Sequence, residues 1–228
     1  MIHEAEHGRR LATRVLAATR VARRYTIRAA IPDILDAVEI GQKVPEALGD
    51  TAVLGPTGER RPLGDAWRDA DAIVIFVRHF ACGACSEHLA ELRPRLAELA
   101  LLGVRVVVVG NGTAAQLADF IAGQQLAGYA VDAVTDPDLA AYRAAGLERS
   151  RLATLGPRAL ANLGRLALQG HRSGRACGDL WQQGGTLYIR RGGELAFVHR
   201  SQRIGDHAAV AEVVQIALAT LAAEAGVA

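Results

Sequence analysis

Hydrophobic residues are spaced along this chain in two alternating rhythms. Ala72-Ile-Val-Ile-Phe-Val77 is an unbroken apolar run rich in β-branched residues, which predicts a buried central strand. Val104 to Val109, interrupted only by Arg105, and Ala130 to Val134 predict two more. Between the first two, Leu89, Leu92, Leu96 and Leu99 recur at helical spacing, predicting a helix from Ser86 to about Leu102 with a kink at Pro94. Asn111-Gly112-Thr113 reads as the cap of a helix running to about Gln125, and Asp136-Pro137-Asp138 opens a short one ending at Gly146. Ahead of the central strand, Val53 and Leu54 followed by Gly55-Pro56-Thr57-Gly58 predict a short strand and a turn. Later, Thr186 to Ile189 and Leu195 to His199 flank Arg191-Gly192-Gly193, a β-hairpin signal. Asp206 is expected to cap a terminal helix carrying Val210, Val213, Val214, Ile216, Ala217 and Leu221. Strand–helix alternation closed by a hairpin and a helix gives an α/β class with a mixed central sheet flanked by helices.

Two segments stand apart from this rhythm. Residues 9–30 read as a basic amphipathic helix with Leu11, Val15, Ala18 and Ala22 on one stripe, and a second helix starts at Pro32. Residues 1–40 are therefore expected to be an N-terminal helical extension to a domain spanning 41–228. Residues 147–184 form an Arg-rich insertion with a helical stretch near 158–169. Net charge runs +5 over residues 1–30, −8 over 31–140, +8 over 141–203 and −3 over 204–228, for a total of +2. That near-neutral total argues against a nucleic-acid partner. The basic stretches read first as solvated arginines, with an anionic substrate or partner as the sharper alternative. No apolar run is long enough to cross a bilayer, and MIHEAEHGRR is not a secretory signal, so a cytoplasmic location is expected.

The chemistry concentrates in three cysteines. Cys82 and Cys85 form a C-x-x-C between a predicted strand and a predicted helix; Cys177 lies alone in the insertion. A helix N-terminus favours the thiolate, and Arg78 and His79 add positive charge nearby, so Cys82 reads as the nucleophile and Cys85 as its resolving partner. Zinc held by Cys82, Cys85, His88 and Cys177 is the competing reading, but a zinc ribbon usually brings a second C-x-x-C, and the chain has none. No Gly-rich fingerprint points to a nucleotide cofactor. The expected cofactor is none beyond a redox-active disulfide Cys82–Cys85, with no metal.

Several separated motifs resemble one family. Gly41-Gln-Lys-Val-Pro45, Thr57-Gly58 and Leu63, then Arg78-His-Phe-Ala-Cys-Gly-Ala-Cys85, then Thr135-Asp-Pro137 through Tyr142-Arg-Ala-Ala-Gly146 are similar to stretches of peroxiredoxins. So are Gly178-Asp-Leu-Trp-Gln-Gln-Gly-Gly-Thr186, His199-Arg-Ser201 and Gly205-Asp-His207. The family is the alkyl hydroperoxide reductase/thiol-specific antioxidant branch, in the peroxiredoxin-like group that includes prostamide/prostaglandin F synthase. The resemblance implies a thioredoxin-like fold and a thiol-dependent oxidoreductase that reduces a peroxide and is recycled by a thioredoxin-like donor, with a homodimer by analogy. It departs at His79, where peroxiredoxins place Thr or Ser, and at Gly184-Gly185-Thr186, where thioredoxins place a cis-proline. These departures keep a thiol–disulfide reductase open as the alternative, beside a non-catalytic redox-sensing or partner-binding module using the N-terminal helix. Around the thiol, Arg78, His79, Gly185, Thr186 and Arg200 are expected to stabilise thiolate or bind substrate. Arg190, Trp181, Gln182 and Gln183 are weaker candidates, and Cys177 is a candidate auxiliary thiol.

Overall fold

The computed structural model describes residues 40–156, 161, 162, 164, 165, 168 and 177–224. The expected N-terminal extension and most of the helical stretch near 158–169 fall outside the described residues. The chain divides into two compact units, one of residues 37–210 and one of residues 1–36 with 211–228.

The first unit opens with helix α1 (Glu46–Gly49) and a hairpin of β1 (Ala52–Leu54) and β2 (Arg60–Pro62). Strand β3 (Ala72–Phe76) leads through the cysteine corner into α2 (Gly83–Leu92), a 3-10 turn (Arg93–Arg95) and α3 (Leu96–Leu101). Next come β4 (Arg105–Gly110), α4 (Ala114–Gly123), β5 (Val131–Thr135), α5 (Ala140–Ala144) and α6 (Arg151–Leu155). The hairpin of β6 (Gly185–Ile189) and β7 (Leu195–Arg200) completes the sheet. Helix α7 (Val210–Glu224), nearly all of it in the second unit, follows.

The sheet order is β2-β1-β5-β4-β3-β6-β7. Strands β3, β4 and β5 run parallel, and β1, β2, β6 and β7 are joined antiparallel. This is the mixed, helix-flanked α/β sheet of thioredoxin-like proteins. Every residue of β3 is buried, as a central strand covered on both faces requires. Alternation places Val74 and Phe76 with Val107, Val109, Leu187 and Ile189 in one core cluster, leaving Ile73 and Ile75 to the other face. Among the described residues no helix is long and apolar enough to cross a membrane.

Four local expectations change. Helix α2 begins at Gly83 rather than Ser86, with Cys82 as its N-cap, so both cysteines lie in its first turn. Pro94 does more than kink the following helix: it replaces a turn of α-helix by 3-10 geometry, because it lacks the N–H an α-turn needs. Strand β2 had no hydrophobic signature, since an exposed edge strand made of Arg60, Arg61 and Pro62 buries little. Asp206 does not cap the terminal helix, which starts four residues later at Val210; its carboxylate instead accepts the Gln202 N–H at 2.8 Å and lies 3.6 Å from His199 Nε2. The helix α4 cap was expected and is Thr113, in a full capping box with Gln116.

Candidate active site

Strand β3 ends at Phe76, and six residues later the chain turns into α2. Cys82 takes an extended backbone conformation as N-cap, and its side chain caps no helix N–H. Its sulfur is left for chemistry beside the unsatisfied amides of the first turn. Both sulfurs are enclosed, with Cys82 3% and Cys85 1% exposed. The Arg78 backbone N–H donates to Cys85 Sγ at 3.4 Å, and Arg78 Nη1 lies 4.0 Å from Cys82 Sγ.

The environment separates the two thiols. Cys82 is held below the ordinary thiol range, first because the Cys85 side chain hydrogen-bonds it and then, against the cost of burial, because of the Arg78 charge. Cys85 is pushed well above that range by burial and by the neighbouring Cys82. The environment thus favours the thiolate at Cys82 and the protonated thiol at Cys85. His79 is brought down to about 4 by burial and by Arg78, so its ring is neutral at pH 7 and adds no charge. This corrects the expectation that His79 contributes positive charge beside the sulfur.

Arg78 is fixed from several directions. Its Nη2 donates to the Thr154 hydroxyl at 2.9 Å and to the Leu180 carbonyl at 2.7 Å. Asn111 Nδ2 donates to the Arg78 carbonyl at 2.5 Å, while Asn111 Oδ1 accepts the Asp179 N–H at 2.6 Å. That clasp requires a glycine next to Asp179: a Cβ on Gly178, whose φ is +88°, would stand 1.9 Å from Asn111 Oδ1. Gln183 Nε2 donates to the Thr154 hydroxyl at 3.2 Å and to the Trp181 carbonyl at 3.1 Å. Beneath the corner, the Tyr142 hydroxyl bridges the Val77 and Val109 carbonyls at 2.6 and 3.0 Å, tying the ends of β3 and β4 together. Its ring meets Phe76 edge-on with centroids 5.0 Å apart.

The other expected site residues fall at graded distances from this core. Gly185 pairs with Phe76 at the last rung of β3, and Thr186 lies one rung deeper, opposite Ile75. Gly184 is the residue that needs to be small, since a Cβ there would stand 2.3 Å from the Phe76 carbonyl oxygen. The close approach of this glycine pair is therefore to backbone. Arg200 faces Gly185 across the hairpin and donates from Nε to the Ala145 carbonyl at 3.3 Å; a Cβ on Gly146 would meet this side chain at 3.2 Å. Arg190 sits at the opposite end of β6, paired with Glu194 at 3.1 Å. Half-buried Cys177 precedes the Gly178–Asn111 contact. Trp181 carries the Arg151 guanidinium 5.5 Å from its ring centroid, and Gln182 Nε2 donates to the Leu147 and Glu148 carbonyls, both at 3.1 Å. His88 stacks on His207 with centroids 4.8 Å apart, and among the described residues no group of three or more His, Cys, Asp or Glu is placed to hold a metal.

Sequence reasoning missed Thr154 and Asn111 as parts of this site, and Gln183 is among its weaker candidates. Thr154 left no signal, being one hydroxyl in an Arg-rich stretch. Asn111 had the signal of a cap and was read as one.

Residues 88–203, about half of the chain, match the AhpC/TSA antioxidant enzyme family. The match begins beyond Cys85 and does not cover the two cysteines. Peroxiredoxin-like 2C of Homo sapiens is 31% identical over 209 residues, covering 86% of this chain and 90% of that protein. Prostamide/prostaglandin F synthase of Homo sapiens is 30% identical over 169 residues, covering 70% and 81%. In three dimensions the chain is similar to peroxidoxin BcpB from Mycobacterium tuberculosis, with a TM-score of 0.56 at 17% identity over 82% of this chain and 97% of that one.

Proposed function

This chain belongs to the AhpC/TSA antioxidant enzyme family, as a peroxiredoxin-like thiol oxidoreductase, and from that premise we propose that Cys82 and Cys85 together reduce a peroxide. One observation carries the reading: Cys82 caps the N-terminus of α2 with Cys85 in the same first turn, and Arg78 Nη1 lies 4.0 Å from Cys82 Sγ, an arrangement that favours the thiolate at Cys82 over Cys85. The Cys82 thiolate attacks one peroxide oxygen; an S–O bond forms, the O–O bond breaks, and the alkoxide leaves and takes up a proton. Cys82 is then a sulfenic acid. Cys85 loses its proton and attacks that sulfur, an S–S bond forms, and water leaves. A thioredoxin-type dithiol donor reduces the disulfide and is itself oxidised. Arg78 stabilises the thiolate, and the low acidity of Cys85 holds the second step back until sulfenic acid exists.

The test is a thiol count before and after one equivalent of hydrogen peroxide. Wild type should lose two thiols, Cys85→Ser should accumulate a trappable sulfenic acid, and Cys82→Ser should lose its turnover. Full activity in Cys82→Ser would sink the proposal. A second reading, reduction of protein or small-molecule disulfides, is favoured by the neutral His79 where peroxiredoxins carry a hydroxyl. Insulin reduction without peroxide turnover would select it.

A further inference from the structure

The Arg78 guanidinium is too far from Cys82 Sγ, at 4.0 Å, to be positioned by that contact alone. Its firmest side-chain bonds go to the Leu180 carbonyl and the Thr154 hydroxyl. The Thr154 hydroxyl is oriented without ambiguity. It donates its one hydrogen to the Ser150 carbonyl at 3.0 Å, which leaves its lone pairs to the two donors Arg78 Nη2 and Gln183 Nε2. Thr154, Arg78 and Gln183 are all buried, so no solvent substitutes for a lost acceptor. Thr154 itself stands on α6, whose N-cap Ser150 accepts the Ala153 N–H at 3.2 Å. The helix is thus short but fastened.

We propose that Thr154 is a positioning residue for the redox centre: its hydroxyl holds the Arg78 guanidinium at the distance from Cys82 that keeps the thiolate ionised. The proposal rests on the assignment of Cys82 as nucleophile. It gives the Arg-rich insertion a role, because a residue 72 positions beyond Cys82 in sequence tunes the acidity of that sulfur. Valine at 154 keeps the shape and replaces the acceptor with a methyl group, leaving a buried Nη2 with one partner instead of two.

The experiment measures the pH dependence of Cys82 alkylation by iodoacetamide, with thiolate absorbance as a second readout, in full-length protein. Thr154→Val should raise the apparent thiolate pKa by about half a unit to one unit, and slow alkylation below that pKa roughly threefold to tenfold. Thr154→Ser should restore the wild-type profile. In an Arg78→Met background, Thr154→Val should shift nothing further. An unmoved pKa in folded Thr154→Val overturns the proposal even if stability falls. A shift that persists in the Arg78→Met background overturns the route through Arg78. If Thr154→Val does not fold, Thr154→Ala carries the same test. If neither folds, the Arg78 Nη signals in the ¹⁵N spectrum of wild type decide, a freely rotating guanidinium being the contrary result. Alkylation consumes no peroxide. A wild type that leaves hydrogen peroxide untouched therefore refutes the peroxidase reading alone, and the role of Thr154 is still decided.

Discussion

At the Ala72 end of β3, polar groups find partners, the ion pairs among them near solvent. Arg105 pairs with Asp69 at 2.7 Å, Arg61 pairs with Asp132, and buried Asp71 accepts the Tyr188 hydroxyl at 2.5 Å and the Arg191 N–H at 2.8 Å. At the Phe76 end most polar groups are also bonded, but several buried atoms are left over. Among the described residues, the buried side-chain atoms without a protein hydrogen-bond partner are Arg78 Nε, His79 Nδ1, Gln183 Oε1, Ser201 Oγ and His207 Nε2. Arg78 and His79 lead into the cysteine corner, Gln183 bonds Thr154, and the Ser201 N–H bonds the Gly184 carbonyl. His207 stacks on His88 of the cysteine helix. Buried polar atoms without a protein partner are thus concentrated beside the cysteine corner.

The contrast breaks most sharply at Arg78. Arg78→Met should lower the rate of peroxide reduction by about 100-fold, on the scale of losing one preorganised donor at a reacting charge, while melting near wild type. Steady-state rates beside a thermal melt check both halves. Loss of folding with the residual specific rate intact would erase the distinction between the two ends.

Gly184→Ala tests packing at the same end. Its Cβ would press on the Phe76 carbonyl, which cannot yield without disturbing the β3–β6 ladder. Destabilisation of about 2–3 kcal/mol is expected, read by denaturant unfolding.

Acid sharpens the comparison further. Burial is the leading cause that lowers His79 to about 4, His207 to about 4 and His88 to about 3, and Arg78 or the neighbouring histidines add to it. In the unfolded chain these rings protonate near their ordinary pKa, so the unfolded state binds more protons as pH falls. Their contribution is complete above about pH 6.5 and is lost as pH drops toward 4. Each ring should take about 2–3 kcal/mol from the unfolding free energy between pH 7 and pH 4.5, roughly 7 kcal/mol for the three together. Replacing His88 and His207 together by Phe should flatten that slope; an unchanged slope would show that other groups set it.

The smallest effect belongs to the opposite end. Arg105→Ala removes a half-exposed ion pair and should cost under about 1 kcal/mol, with peroxide turnover unchanged. A large loss of turnover there would show that the two ends are coupled.

Much of the architecture was legible from single residues. The buried run 72–77 announced β3, Thr113 announced α4, and the Gly192-Gly193 turn announced the β6–β7 hairpin. Each of these elements is specified by neighbours within a few positions. Strand β2 escaped because an exposed edge leaves no hydrophobic trace, and Asp206 misled because a capping residue and a residue bonding a nearby loop N–H look the same in sequence.

The site divides along the same line. Cys82, Cys85 and Arg78 were named from the C-x-x-C and its flanks, since a helix N-terminus beside a cationic side chain is a local event and acts through bonds and turns close in the chain. Thr154, Asn111, Gln183 and Tyr142 acquired their places at the site only when folding brought them to the β3–α2 corner from 33 to 105 positions away from Arg78. The opposite directions in which the acidities of the two thiols move were likewise decided by tertiary structure. Charge at a buried sulfur depends on desolvation and on hydrogen bonds across space, and neither is fixed until the chain has closed around it.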